Sequence, residues 1–259
     1  MATVIYPSPI FGPVRSRRLG VSLGVNLMPG DGKVCTFDCV YCECGFNADF
    51  RPHTPRPARE QVRESLERVL QKMSKAEEPL NVITFAGNGE PTAHPDFPGI
   101  ISDTISLRDR YYPDAKVSVL SNATMTDREE VREALMLVDN NIQKLDTVDA
   151  EYIYKVDRPV SPSYDVREVI ENLKRFHGHV IIQTMFMRGT SQGESVDNTG
   201  DAYVLPWLDA VRAIAPQQVM IYTIDRETPD HDLLKAEPEV LDAIKAQVEQ
   251  AGIPCSASY

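Results

Sequence analysis

No apolar run in this chain reaches the length of about 18 residues that would suggest a membrane span. The opening MATVIYPSPIFGPVRSRRLG has no basic stretch followed by an apolar one, so no secretory signal is expected. Basic residues are in deficit. The net charge of −11 argues against a general nucleic-acid coat protein and against a binder of anionic membranes. Cysteine is scarce: five residues, unevenly placed, do not make a disulfide framework. Four of the five fall between Cys35 and Cys44, which points to a metal held in a reducing compartment, with the cytoplasm as the default location. What is present is ordinary. An apolar content of 42% supports a core and excludes disorder of the whole chain. A length of 259 residues fits one α/β barrel as well as one or two average domains.

Charge is uneven along the chain. Residues 10–60 carry seven bases (Arg15, Arg17, Arg18, Lys33, Arg51, Arg56, Arg59) against five acids, while residues 221–259 carry three bases against eight acids. The segment around the cysteines is the basic part of an acidic chain, where anionic ligand groups can dock.

Apolar runs alternate with amphipathic patterns. Leu19–Met28 reads as a first strand. Val62, Leu66, Val69, Leu70 and Met73 then share one helical face. Strands are expected at Val82–Ala86, Val117–Leu120, Ile142–Val148, Val180–Met187 and Val219–Ile224. Helices are expected at about 95–110, at 126–138 opened by a Thr126/Glu129 capping box, along the face Val166–Phe176, at 201–214, and last between Pro238 and Gly252. Residues 45–58 and 188–200 read as long loops, the former able to cover the cysteines. Six β–α units with wholly apolar strands imply a parallel sheet covered by helices, curled by right-handed crossovers into an open, partial barrel. Ligands in such sheets bind at the C-terminal strand ends.

The loop Cys35-Thr-Phe-Asp-Cys39-Val-Tyr-Cys42 follows the first strand with spacing C-x3-C-x2-C. Three thiolates so close can converge on one soft metal or cluster. A structural zinc usually draws two separated ligand pairs. Here Cys255 is remote and the five histidines hold no H-x3-5-H pair. Three ligands on a four-iron cluster would leave one iron open for a substrate or cofactor. A non-catalytic zinc or iron–sulfur binding module is the reading from another class.

This loop resembles that of the radical S-adenosylmethionine (SAM) enzymes. The resemblance implies an α/β fold, a partial (open) parallel β6/α6 TIM-like barrel, in which residues 1–259 form a single core domain. Its parts would be an N-terminal extension (1–18), core strands and helices (19–236), and a last helix and tail (237–259). It implies that Cys35, Cys39 and Cys42 hold a [4Fe-4S] cluster and that Tyr41 lies near the adenine of SAM. Gly87-Asn88-Gly89-Glu90-Pro91, after the second strand, is similar to the superfamily's G-G-E motif, which binds the amino group of the methionine moiety. Here the first glycine of the triplet is Asn88. Ser121, Asn122, Lys144 and Asp146 stand where relatives place polar groups for the SAM ribose and carboxylate. Gln183, Met185 and Tyr222 are further candidates for the cofactor wall, from strand alternation.

The implied activity is that of an iron–sulfur oxidoreductase. One electron from a flavodoxin or ferredoxin cleaves SAM to methionine and a 5′-deoxyadenosyl radical, which takes a hydrogen atom from a small-molecule, peptide or RNA substrate. Gly12–Asn26, Gly87–Pro95 and Asp146–Pro159 resemble stand-alone relatives of the wyosine synthases, which act on tRNA. Those enzymes carry a second cluster on earlier cysteines, whereas no cysteine precedes Cys35, and the charge of −11 fits tRNA poorly. A local strip of Arg15, Arg17, Arg18, Arg51 and Arg56 is the one feature suited to RNA. Cys44 reads as a free thiol or a reserve ligand. Cys255, if the tail crosses the barrel mouth, is a candidate hydrogen-atom donor.

Overall fold

The structure is a computed structural model that describes residues 4–16 and 20–259. Arg17, Arg18 and Leu19, assigned above to the basic strip and the first strand, lie outside the described residues.

The chain runs β1 (Ile10–Ser16), β2 (Gly20–Val25), α1 (Arg59–Lys75), β3 (Val82–Phe85), α2 (Phe97–Tyr111), β4 (Lys116–Ser121), α3 (Glu129–Met136), β5 (Asn140–Lys144) and α4 (Ala150–Val156). It continues with α5 (Val166–Lys174), β6 (Ile181–Met185), β7 (Met187–Ser191), β8 (Glu194–Ser195), α6 (Asp201–Ile214), β9 (Gln218–Tyr222), β10 (Leu233–Lys235), α7 (Pro238–Gln250) and β11 (Cys255–Ser258). The main sheet has the order β1-β2-β3-β4-β5-β6-β9-β11. Its six central strands are parallel, and consecutive neighbours are joined by helical crossovers. This is the open, partial α/β barrel expected from the pattern, widened at both edges.

Both edges were missed in the sequence. β1 pairs antiparallel with β2, and β11 pairs parallel with β9. β1 contains Pro13 and Gly12, residues that usually demote a run to a non-strand. β11 is Cys-Ser-Ala-Ser, with no apolar alternation to announce it. The expected fifth strand splits at Phe186 into β6 and β7. The expected loop 188–200 holds a hairpin, β7 and β8, turned by Gln192 and Gly193, both with positive φ as a two-residue type I′ turn needs. β10 adds a third strand to it.

The helix faces follow the predicted stripe. Val62, Leu66, Leu70 and Met73 of α1 are buried on the sheet, each worth roughly 1.5–3 kcal/mol of apolar burial. The Thr126 capping box does not form. Arg128 is the N-cap residue and makes no side-chain cap, while the Thr126 hydroxyl donates to Ala123 O (2.7 Å) inside the preceding turn. Helix α4, seven residues long, is too short to show periodicity in the sequence. Its signal is the cap, where Asp149 Oδ1 accepts from Tyr152 N (2.7 Å). Among the described residues no helix is long and apolar enough to cross a membrane.

Candidate functional site

The cysteine loop follows β2 and is fixed on three sides by backbone bonds. Val34 N donates to Asn88 O (2.9 Å), which zips the loop onto the turn after β3. Val40 N and Asp38 N donate to Val156 O (2.9 Å) and Asp157 O (3.0 Å) at the end of α4. Val160 N donates to Thr36 O (2.9 Å). The turn after β3 needs its glycines. Gly89 has φ +148°, and a Cβ there would lie 1.8 Å from Val34 O. Gly87 has φ +131° and packs against the Asn26 side chain.

The segment 45–58 scaffolds the loop from below. Asn47 N donates to Asp38 Oδ1 (2.7 Å), and its amide ties Cys35 N (3.1 Å), Cys35 O (3.2 Å) and Phe37 O (3.1 Å). Further on, the Asp31 carboxylate accepts from the backbone N–H groups of His53 (2.9 Å) and Thr54 (3.1 Å). Asn47 was not singled out in the sequence, and a lone loop asparagine after Gly-Phe gives no signal of this role.

The sulfurs of Cys35 and Cys39 face donors from two different parts of the fold. Asn122, after β4, directs Nδ2 at Cys35 Sγ (3.6 Å) and Thr36 Oγ1 (2.8 Å). Lys144, at the end of β5, directs Nζ at Cys39 Sγ (3.1 Å). Burial pushes Cys35 up to about 12 and pushes Cys39 up as well. The neighbouring Cys44 thiol, together with the Lys33 cation, brings Cys42 down to about 6 against its burial. Cys44 is itself raised by Cys42 beside it and by burial, and its single S–H donates to Gly87 O (3.5 Å). Lys33 is buried inside the loop, its Nζ on Gly45 O (2.6 Å) and Asp38 Oδ1 (3.3 Å).

The other expected residues surround this loop, several with different partners from those anticipated. Asn88 is fully buried, and its amide accepts from Tyr6 N and donates to Tyr6 O and Pro29 O, each at 2.8 Å. It clasps the N-terminal segment. Glu90 is buried and raised by burial. Its carboxylate accepts from Thr92 N (3.0 Å), Thr92 Oγ1 (2.5 Å) and Asn122 N (2.6 Å), capping the short turn Pro91–Ala93 and pinning the end of β4. Ser121 Oγ accepts from Ala123 N (3.0 Å).

Lys144 sits between Asp157 Oδ1 (2.5 Å) and Asp146 Oδ2 (3.3 Å). Burial alone would lower it, but these carboxylates and Cys39 raise it well above the usual range. Asp146 accepts from the Tyr41 hydroxyl and from Met185 N (2.9 Å). Burial, with Asp146 beside it, holds Tyr41 in the phenol form. Asp157 was missed because it caps the unrecognised α4.

On β6, Ile182 and Thr184 face the helices, where Thr184 Oγ1 bonds Leu145 O (2.8 Å) and Trp207 Nε1 (3.1 Å). Gln183 and Met185 therefore face the barrel interior, and Met185 pairs in register with Tyr222 of β9. Met185, Met187, Val40, Val196 and Ile224 form a small apolar cluster against which Tyr41, Tyr203 and Tyr222 pack.

Cys255 does not reach this end. It opens β11 opposite Val219, at the start of the parallel strands, and packs on the main core. The tail forms an edge strand instead of crossing the mouth. Of the basic strip, Arg56 spends Nη1 on Ala93 O (3.1 Å), and Arg15 and Arg51 are exposed.

Residues 31–197 match the radical SAM superfamily. The chain belongs to that superfamily. A UPF0026 protein of Helicobacter pylori is 30% identical over 71% of this chain and 58% of its own length. A Streptococcus suis SuiB solved with S-adenosylmethionine shares the fold at TM-score 0.63 and 14% identity, over 91% of this chain and half of SuiB. A TYW1 solved with a lysine-pyruvate adduct shares it at TM-score 0.63 and 14% identity, over 88% of this chain and 73% of TYW1. The chain thus spans 58% of the length of the Helicobacter relative and half that of SuiB.

The superfamily implies an iron–sulfur cluster and SAM. Among the described residues no three His, Cys, Asp or Glu side chains are grouped to hold a single metal ion. The fit therefore rests on the donor set. Three thiols on one rigid loop, with the Lys144 ammonium and the Asn122 amide turned toward them and the Lys33 ammonium buried in the loop beside them, suit a soft group of negative charge.

Proposed function

We propose that this chain is a radical SAM enzyme whose Cys35, Cys39 and Cys42 hold a [4Fe-4S] cluster at the C-terminal mouth of the partial barrel. The observation that carries the reading is the loop itself: three thiols locked by backbone bonds to the turn after β3, to α4 and to segment 45–58, with Asn122 and Lys144 donating to the sulfurs of Cys35 and Cys39. When bound, the cluster would pass one electron from a flavodoxin or ferredoxin to SAM, giving methionine and a 5′-deoxyadenosyl radical that abstracts a hydrogen atom from substrate.

The chain's own residues hold the site. Gly87 and Gly89 let the turn after β3 pack directly on Asn26 and on the backbone of the cysteine loop, which holds that loop at the sheet end. Glu90 fixes β4 to that turn. Tyr41, Met185 and Tyr222 make an aromatic and thioether wall that excludes water and suits a purine face. The net charge of −11 favours a small molecule or a peptide over RNA as the substrate.

Anaerobic reconstitution followed by metal and sulfide analysis tests this. About four irons with matching sulfide per chain, and SAM cleavage under dithionite, are expected. Cys39→Ala should lose both the visible iron–sulfur absorbance and cleavage. One zinc without sulfide, or cleavage that survives Cys39→Ala, overturns the reading in favour of a binding module or another chemistry.

A further inference from the structure

Lys144 was expected to serve SAM, yet its ammonium has no donor to spare. A lysine ammonium carries three N–H groups. Here three acceptors surround it: Cys39 Sγ (3.1 Å), Asp157 Oδ1 (2.5 Å) and Asp146 Oδ2 (3.3 Å). The rings of Phe37 and Tyr41 cover its remaining sides, with Nζ 4.9 and 5.0 Å from their centroids. The lock is built from separate elements. Asp157 ends α4, and Asp146 is held by Met185 N and the Tyr41 hydroxyl. Such a group cannot swing to a carboxylate or a ribose without breaking two buried ion pairs. Burying a charge this way is tolerated only when its partners stay in place.

We propose that Lys144 is a positioning residue for the metal centre: a fixed positive charge, hydrogen-bonded to the Cys39 sulfur, that orients this ligand and sets how readily the bound cluster accepts an electron. The proposal rests on Cys35, Cys39 and Cys42 holding that cluster. Hydrogen bonds to ligand sulfurs and nearby positive charge stabilise the reduced state, and potentials of such centres respond to both. The arrangement has one donor at one sulfur, so its effect is separable from the roles of Asn122 at Cys35 and Lys33 near Cys42.

The test uses the full chain, reconstituted anaerobically, as wild type, Lys144→Met and Lys144→Arg. Iron and sulfide content, the midpoint potential from an EPR-monitored titration, and the Kd for SAM are measured on each. Lys144→Met is expected to take up iron and sulfide like wild type but to show at least a tenfold smaller equilibrium constant for one-electron reduction, a midpoint about 59 mV or more lower. Lys144→Arg, which keeps the charge, is expected to recover most of that shift, and SAM affinity is expected to change little in either variant. Equal midpoints with a SAM affinity at least tenfold weaker in Lys144→Met overturn the proposal and return Lys144 to SAM binding. If Lys144→Met holds no iron, restoration of iron by Lys144→Arg supports a charge held at Cys39, and its failure there overturns it. A wild-type chain that takes up no iron and sulfide overturns the reading of the cysteine loop itself and this proposal with it.

Discussion

Replacing Asn88 by alanine separates two readings of the turn after β3. In the superfamily motif this position is glycine, so a role for the Asn88 amide in SAM binding would make it a site residue. The structure gives that amide three other partners, Tyr6 N, Tyr6 O and Pro29 O, all at 2.8 Å and in a fully buried setting. Asn26 completes the clasp, its Nδ2 donating to Tyr6 O (3.1 Å) and its Oδ1 accepting from Met28 N (3.0 Å) and Asn88 N (3.3 Å). Each lost bond is worth about 1 kcal/mol net, so Asn88→Ala should cost about 3 kcal/mol. For a chain of this length that is a fall in Tm of roughly 6–12 °C. Thermal unfolding by circular dichroism measures the fall. Hydrogen exchange localises it: the Tyr6 amide, which loses its acceptor, should exchange much faster than in wild type. A Tm within about 2 °C of wild type and an unchanged Tyr6 amide would refute the clasp. A loss of SAM affinity at full stability would restore the amide to the cofactor.

Two further outcomes follow from the same turn and its neighbour. Gly89→Ala forces a Cβ to within 1.8 Å of Val34 O at φ +148°, so the cysteine loop must detach from β3; the variant is expected to lose iron uptake while its far-ultraviolet circular dichroism stays that of an α/β fold. His94 is buried and lies below the ordinary histidine value because burial disfavours its charged form. Its Nδ1 accepts from Asp96 N (3.1 Å) and its Nε2 lies 2.9 Å from Pro57 O, as the neutral ring with a proton on Nε2 would have it. With the folded value below the unfolded one, the unfolded chain binds more protons, so stability is full above the ordinary pH of about 6.5 and is lost as pH falls through the folded value. Urea midpoints measured from pH 7.5 to 5 should therefore fall with pH, and His94→Gln should flatten that slope.

The parts of this fold that rest on strong local patterns were readable in the sequence. The stripe Val62-Leu66-Leu70-Met73, the apolar strand Val82–Phe85 and the Pro238/Gly252 pair around α7 each announce themselves within one element. What failed did so where the deciding interaction is non-local. Nothing in Cys255-Ser-Ala-Ser tells that it will pair with β9, because its pattern carries no apolar face and its backbone bonds are satisfied only by a distant strand. The Thr126/Glu129 spacing is a local signal the helix does not use, because Arg128 is its N-cap and Thr126 closes the preceding turn onto Ala123 O. The cysteines were legible because all three candidate ligands sit in eight residues. The groups that address their sulfurs come from β4, β5 and the loop base, and only the folded chain shows which nitrogen meets which sulfur.

The acidic balance of the chain takes on a different meaning beside this site. At −11, excess negative charge would disfavour gathering three thiolates and the carboxylates of Glu90, Asp146 and Asp157 at one mouth. The fold answers locally, placing the ammonium groups of Lys33 and Lys144 there with side chains only 1% and 13% exposed. Lys144 alone faces two carboxylates, and the sum over the two lysines, their aspartates and three deprotonated cysteines remains negative. A metal centre contributing positive iron is what would bring such a pocket back toward neutrality. An empty loop would be expected to keep Cys35 and Cys39 protonated, in line with the upward shifts that burial imposes on both. Binding of the metal and release of those protons are then one coupled event. Uptake of iron should therefore strengthen as pH rises, since each thiol that binds must first give up its proton.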